Sequence, residues 1–181
     1  MGNRVPYSIM NKVNNLVLLG FMGTGKSALG RRVAVLAHRP FLEMDAELEH
    51  RAGKSIPQIF EQDGEQAFRE LETDLAKEWG QREGSVIACG GGVVLRDANL
   101  KALGQHGVLV CLTARPNVIA ERTGRSNKRP LLQVENPEEK IRSLLEARAP
   151  LYAKIPLQVD TSDVPIDTLA EELLDLWDRA L

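Results

Sequence analysis

Short apolar runs alternate with longer amphipathic stretches along most of this chain. Continuous runs of about five apolar residues between polar segments are typical of strands that are buried on both faces. Five such runs are present, at residues 16–20, 41–45, 85–89, 108–112 and 157–160. Because helical patterns separate them, the order of elements predicts an α/β fold with a five-stranded parallel sheet.

Residues that favour helix N-termini precede four of the amphipathic segments, at Ser55, Asp97, Asn136 and Pro165. Ser55 and Gln58 have the spacing of a capping box. Asp97 is expected to cap a helix that Gly104 ends. Residues 123–134 show no periodicity and are rich in basic side chains, which predicts a functional loop there.

The bulk composition narrows the class of protein. A length of 181 residues fits one domain, predicted at 16–181 after a loosely ordered lead-in at 1–15. The net charge of -2 offers no general attraction to nucleic acid or to an anionic membrane. No apolar run reaches the roughly 20 residues of a membrane span, and a secretory signal is lacking, so we expect a cytoplasmic protein. Cys89 and Cys111 lie in apolar runs and are predicted to be buried and reduced, and the histidines lack the spacing of zinc ligands.

Residues 20–27, Gly-Phe-Met-Gly-Thr-Gly-Lys-Ser, match the phosphate-binding motif G-x-x-x-x-G-K-[ST]. The motif follows a predicted strand and precedes a helical segment, which is the order its mechanism requires. In such a loop the backbone N–H groups cradle phosphate oxygens, Lys26 reaches the β and γ phosphates, and the Ser27 hydroxyl binds Mg²⁺. A glycine-rich turn without a ligand is the alternative. We expect ATP to contact Gly23, Thr24, Gly25, Lys26, Ser27 and Ala28.

Two acidic residues, Glu43 and Asp45, end the second predicted strand. Two-residue spacing on a strand places both carboxylates on one face, and ligands of α/β sheets gather beyond the carboxyl ends of the strands. One carboxylate can hold magnesium or its waters while the other accepts the proton of an attacking hydroxyl. Two exposed acids, or a helix cap for the segment from Ala46, are the alternatives.

Glycines and arginines supply the remaining candidates. Three glycines, at positions 90, 91 and 92, follow the third predicted strand and let a backbone approach a ligand closely, although a permissive turn would look the same. Arg69 has glutamates around it in the sequence, so the alternative to a functional role for this residue is a surface ion pair. Arg129 lies in the aperiodic segment and is predicted to reach a phosphate when a lid at about 123–136 closes.

Several of these features occur together and in order, with Phe68-Arg69 before the three glycines, Arg129-Pro130-Leu131-Leu132 after them and Arg148-Ala149-Pro150-Leu151-Tyr152 near the end. Over about residues 16–177 the chain resembles the shikimate kinase family. The resemblance implies a three-layer P-loop NTPase fold of the nucleoside-monophosphate-kinase type, with helices flanking the sheet, a substrate-binding helical region and a mobile lid. It also implies a monomer that transfers the γ-phosphate of ATP to the 3-hydroxyl of shikimate, in the chorismate pathway of aromatic amino acid biosynthesis.

The resemblance also implies roles for single residues. Asp45 matches the acid that binds the shikimate hydroxyls and orients or deprotonates the nucleophile. Arg69 and Arg148 match the arginines that hold the shikimate carboxylate, with Gly90, Gly91 and Gly92 supplying backbone contacts. Arg129 matches the lid arginine, and Arg122 matches an arginine lying over the adenine, which the turn at 161–165 would border on its other side.

One position departs from the family pattern. The family has Asp-x-Asp where this chain has Glu43-Met44-Asp45, so the first acid is one methylene longer and is predicted to contact magnesium through water. Two alternative functions stay open at this point: a kinase of another small polyol acid such as gluconate, and a regulatory module that binds such ligands without catalysis. A regulatory module without catalytic activity has no need to keep Lys26, Ser27, Asp45 and Arg129 together.

Overall fold

A computed structural model of the chain describes residues 14–124 and 136–180. Within them five strands form one sheet: β1 (Asn15–Gly20), β2 (Phe41–Glu43), β3 (Val86–Ala88), β4 (Gly107–Thr113) and β5 (Leu157–Asp160). The strand order is β2-β3-β1-β4-β5, and every neighbouring pair is parallel. The predicted five-stranded parallel sheet is therefore confirmed. The connection that leaves β1 runs toward one edge of the sheet and the connection that leaves β3 runs toward the other, which creates a crevice at the carboxyl ends of these two neighbouring strands.

Helices cover both faces of this sheet. In the described part of the chain they are α1 (Lys26–Ala37), α2 (Met44–Ala52), α3 (Ile56–Gln62), α4 (Gly64–Gly80), α5 (Asp97–Leu103), α6 (Pro116–Gly124), α7 (Pro137–Tyr152) and α8 (Ile166–Arg179), with a 3-10 turn at Val93–Leu95. Successive β1 side chains point to opposite faces. Leu16 and Leu18 join one hydrophobic cluster with α1 and α8, whereas Val17 and Leu19 join a second cluster with α2 to α7. The three-layer architecture follows from this alternation.

The last helix also fixes the start of the described chain. Trp177 of α8 is buried, and its indole N–H donates a hydrogen bond of 2.9 Å to the carbonyl oxygen of Asn14. Asn15 begins β1, and its side chain accepts from the backbone N–H of Ser85 at 3.0 Å. Both contacts lie at the amino ends of the strands, whereas the crevice lies at their carboxyl ends.

The helix ends confirm most of the local predictions. Ser55 accepts from the backbone N–H of Gln58 at 3.4 Å, and the Gln58 side chain accepts from the Ser55 N–H at 2.9 Å, so the capping box is present. Asn136 caps α7 through the N–H of Glu139. The prediction for Asp97 is wrong, because α5 begins at Asp97 itself and its carboxylate accepts from Lys154 at 2.8 Å.

The second strand is shorter than predicted. It ends at Glu43, and Asp45 lies in the first turn of α2, so the expectation that both carboxylates share one strand face is wrong. Met44, the first residue of α2, is fully buried. In the sequence, an apolar residue in the first turn of a buried helix looks the same as one more residue of a buried strand. The helix form is favoured here because acidic residues in a first turn interact well with the positive end of the helix dipole.

Cys89 and Cys111 are both free and buried, as predicted. In the described part of the chain, the helices are too short or too polar to cross a membrane. Most of the predicted lead-in and of the predicted lid lies outside the described residues. At the margins of the lid, Thr123 and Gly124 belong to α6 and Asn136 caps α7.

Candidate active site

The phosphate-binding loop lies between β1 and α1, at the carboxyl edge of the sheet. Gly25 precedes α1 with a φ of 95°, and the first turn of α1 contains no acidic residue and no side-chain cap. The positive end of the helix is therefore left to an external anion. Lys26 and Ser27, with Ala28, form that first turn, and the Lys26 ammonium donates to the carbonyl oxygens of Gly20 and Phe21 at 2.9 Å each. This geometry is that of a phosphate cradle with its cation in place.

Arg122 and the turn after β5 brace the loop from the other side. The buried Thr161 hydroxyl lies 2.9 Å from the carbonyl oxygen of Thr24 and donates to it. Arg122 donates to the Thr161 carbonyl at 2.6 Å and to its hydroxyl at 3.0 Å, and it also reaches the carbonyl of Gly23 at 3.5 Å. Arg122 and the 161–165 turn therefore meet beside the phosphate loop, and their contact with adenine stays a prediction.

Opposite the phosphate loop, two carboxylates converge on Gly90. A Cβ at Gly90 would lie 2.6 Å from Oδ1 of Asp45 and 2.9 Å from Oε1 of Glu72. A larger residue at this position would force one or both carboxylates to move from where they lie. The structure thus gives the glycine turn a steric reason that the sequence pattern alone did not supply.

Arg69 of α4 lies beside these acids. Its guanidinium donates to Glu72 at 2.5 Å and to Glu65 at 3.0 Å, and its side chain is only 14% exposed. A Cβ at Gly92 would lie 1.9 Å from Nη1 of Arg69, so the guanidinium lies directly against the glycine turn. Burial lowers the pKa of Arg69, but the bonds and charges of Glu72 and Glu65 outweigh it, and the pKa is raised. Arg69 is therefore a constrained cation at the crevice and not a solvated surface ion pair.

Glu72 is the site residue that the sequence did not assign. Its side chain is 1% exposed, and burial raises its pKa, with the nearby negative charge of Asp45 adding to the effect. Arg69, through a hydrogen bond and its charge, and Arg96, through its charge, act in the opposite direction, and the pKa stays above its usual value. The three-residue spacing of Arg69 and Glu72 on one helix was the available signal.

Arg148 of α7 reaches the same turn from the opposite side. Its Nη1 donates to the carbonyl oxygen of Gly91 at 3.1 Å, and its Cζ lies 5.6 Å from the ring centroid of Phe21. A guanidinium packed on an aromatic face keeps its edge available to a carboxylate. The structure therefore brings Asp45, Arg69, Arg148 and the three glycines together, and their contact with a substrate stays a prediction.

Glu43 forms an ion pair with an arginine of α1. Its carboxylate accepts a short hydrogen bond from Arg31 of α1, whose guanidinium lies 4.8 Å from the ring centroid of Phe41. Among the described residues no group of three or more His, Cys, Asp or Glu side chains could hold a metal ion. The Ser27 hydroxyl is still a suitable protein ligand for Mg²⁺, because this ion keeps several waters and binds substrate phosphates. Magnesium at Glu43 stays a prediction, and Arg129 lies outside the described residues.

A parallel sheet, a phosphate loop at its switch point and an opposed pole of acids and arginines define a P-loop kinase of a small molecule. The family model described as shikimate kinase matches residues 22–177. The chain belongs to the shikimate kinase family.

Individual relatives agree with this assignment. The shikimate kinase of Thermodesulfovibrio yellowstonii is 44% identical over 167 residues, which cover 92% of this chain and 96% of that protein. The shikimate kinase of Caldanaerobacter subterraneus subsp. tengcongensis is also 44% identical, over 90% of this chain and 95% of that protein. A solved structure of the shikimate kinase from Acinetobacter baumannii, in complex with shikimate, superposes with a TM-score of 0.87 at 40% identity and covers 93% of this chain and 94% of that chain.

Proposed function

We propose that this protein transfers the γ-phosphate of ATP to the 3-hydroxyl of shikimate, giving shikimate 3-phosphate and ADP. The observation that carries the proposal is the pair of opposed poles: Lys26 on one side of the crevice, with Asp45, Arg69 and Arg148 on the other. Family membership and the shikimate bound to the Acinetobacter baumannii relative support this acceptor.

The side of the crevice with Asp45, Arg69 and Arg148, here called the acceptor pole, suits a carboxylated polyol. A planar carboxylate matches the paired donors of arginine, so Arg69 and Arg148 would hold the shikimate carboxylate while backbone groups of Gly90, Gly91 and Gly92 pack against it. The Asp45 carboxylate would accept a hydrogen bond from the attacking hydroxyl, orient it toward the γ-phosphorus and take its proton.

The nucleotide pole would supply charge neutralisation and alignment. The amino end of α1 and the Lys26 ammonium would bind the phosphates, and in this role the ammonium exchanges the loop carbonyls for phosphate oxygens. Mg²⁺, when bound through Ser27 and through a water next to Glu43, would neutralise phosphate charge. Arg129 would add a positive charge from the lid, and Arg122 would lie over the adenine.

The same proposal covers the setting of the reaction. We infer a monomer in the cytoplasm that acts in the chorismate pathway, with two small molecules as partners. A net charge of -2 gives no support to a nucleic acid or membrane partner.

The test is a coupled ADP-release assay with shikimate, quinate and gluconate as acceptors. We expect turnover with shikimate, and a loss of about 10²- to 10⁴-fold in kcat for Asp45→Asn, because a positioned base and acceptor is removed. Lys26→Met should be similarly impaired. Asp97→Asn serves as the matched control, since its carboxylate binds Lys154 at the surface.

Circular dichroism and thermal unfolding must show that each variant is folded. A faster reaction with gluconate or quinate would contradict the proposed acceptor. Tight binding of shikimate and ATP without any turnover would instead favour a regulatory module.

A further inference from the structure

The helix that carries Arg69 is fastened to the glycine turn by a second arginine. Nη1 of Arg96 donates to the Arg69 carbonyl oxygen at 3.0 Å and to the Thr73 hydroxyl at 3.1 Å. The Thr73 hydroxyl in turn donates to the same carbonyl at 2.8 Å. Because Arg96 and Arg69 are 27 residues apart, this closed set of bonds joins two separate parts of the fold.

The contact between Arg96 and α4 lies close to the point where the Arg69 guanidinium packs tightly against the glycine turn. Arg96 follows the 3-10 turn Val93–Leu95, which starts directly after Gly92. Gly92 is the residue whose Cα lies against the Arg69 guanidinium. The bonds of Arg96 therefore set how closely the backbone of α4 approaches the glycine turn, and they limit where the Arg69 side chain can lie.

Arg96 also balances the charge of the acceptor pole. Asp45 and Glu72 are acidic and lie around Gly90, while Arg69 and Arg96 are basic. Burial raises the pKa of Glu72, and the positive charge of Arg96 acts in the opposite direction. Without it, three carboxylates, those of Asp45, Glu72 and Glu65, would face only the two guanidinium groups of Arg69 and Arg148, and an anionic acceptor would meet a net negative site.

We propose that Arg96 is a positioning residue for the acceptor carboxylate, holding Arg69 in place and offsetting the charge of Glu72. The inference rests on the proposed function, because it takes a carboxylated acceptor as given. None of the Arg96 side-chain bonds described involves the phosphate loop, so the nucleotide pole should be independent of it.

The experiment compares four variants in the shikimate-dependent ADP-release assay. Arg96→Gln should raise the KM for shikimate about tenfold or more, since a charged hydrogen bond is lost, while the KM for ATP stays within about twofold. Arg96→Lys keeps the charge but presents a single donor point, so its KM should lie between that of Arg96→Gln and that of wild type. Thr73→Val should give a smaller rise, and Arg82→Gln, which removes a surface pair with Glu78, is the control.

Titration calorimetry with shikimate alone supplies a second readout that does not depend on turnover. The dissociation constant should weaken by the same factor as the KM in Arg96→Gln and recover partly in Arg96→Lys. Equal changes in the KM values of shikimate and ATP, or a shikimate KM within twofold of wild type in a folded Arg96→Gln, would overturn the inference. A wild-type protein that does not phosphorylate shikimate would instead contradict the proposed function.

Discussion

At the scale of single residues, the acceptor pole depends on glycines, whose lack of a side chain leaves space for charged groups. Gly90 leaves room for Asp45 and Glu72, and Gly92 leaves room for Arg69. The sequence analysis predicted that these glycines let the backbone approach a ligand closely, with a permissive turn as the alternative. The structure shows a further task, which is to let charged groups pack against the main chain.

We therefore expect Gly92→Ala to displace Arg69, because the new Cβ would lie 1.9 Å from Nη1. A misplacement of about 1 Å can cost up to roughly 100-fold in rate, so kcat/KM for shikimate should fall by about 10- to 100-fold. The KM for ATP should change little. Steady-state assays with each substrate varied in turn measure both values.

Gly91→Ala is the neighbouring comparison. Its Cβ would meet no atom outside the adjacent residues closer than 3.6 Å, so the decrease in kcat/KM should be smaller than for Gly92→Ala. Equal losses in the two variants would contradict the steric explanation. Thermal unfolding of both proteins shows whether any loss comes from the fold instead.

At the scale of elements, the sequence predicted helix ends well where the signal is local. Ser55 and Asn136 cap their helices as expected, because the partner of each side chain is three residues away. The prediction failed at Asp97, where Lys154 from another part of the chain competes for the carboxylate. The prediction also failed at Asp45, because the end of a buried strand and the first turn of a buried helix have the same apolar pattern in the sequence.

The capping box of α3 gives a prediction for stability. Ser55→Ala removes the acceptor of the Gln58 N–H and should lower the free energy of unfolding by about 1 kcal/mol. Ser55→Thr keeps an acceptor oxygen and should lose less. Urea unfolding at 25 °C measures both, and an unchanged midpoint for Ser55→Ala would contradict the assigned cap.

The site itself was predictable to the extent that its residues are marked by motifs or by family resemblance. Lys26 and Ser27 follow from a local motif, and Asp45, Arg69 and Arg148 follow from the resemblance. Arg96 and the hydroxyl of Thr161 could not be assigned from the sequence. Their partners are 27 and 137 residues away, and only the packing of the sheet and helices brings them together.

At the scale of the whole molecule, strand order brings the two poles together. β1 and β3 are neighbours, with Leu18 opposite Ala88, so the loops that follow them leave the sheet side by side. One loop binds phosphate in our proposal and the other faces the acceptor. The two ligands should therefore bind to separable sets of residues on one rigid frame.

We expect ADP and shikimate each to raise the midpoint of thermal unfolding. At about 100 times the dissociation constant, one ligand stabilises by about 2.7 kcal/mol, or about 5–10 °C for a domain of this size. Lys26→Met should reduce only the nucleotide shift, and Arg69→Gln only the shikimate shift. Loss of both shifts in one folded variant would contradict separable poles.

The bond between Trp177 and Asn14 has a spectroscopic consequence. The chain has two tryptophans, and this indole lies at the amino end of β1, about 20 Å from Gly20 at a rise of roughly 3.3 Å per residue. Trp79 is also buried. Trp79 lies on α4 together with Arg69, so a Trp79→Phe variant is needed to isolate the emission of Trp177. In that variant, fluorescence from Trp177 should report the integrity of the folded core at a distance from the chemistry, and it can follow unfolding in the presence of either ligand.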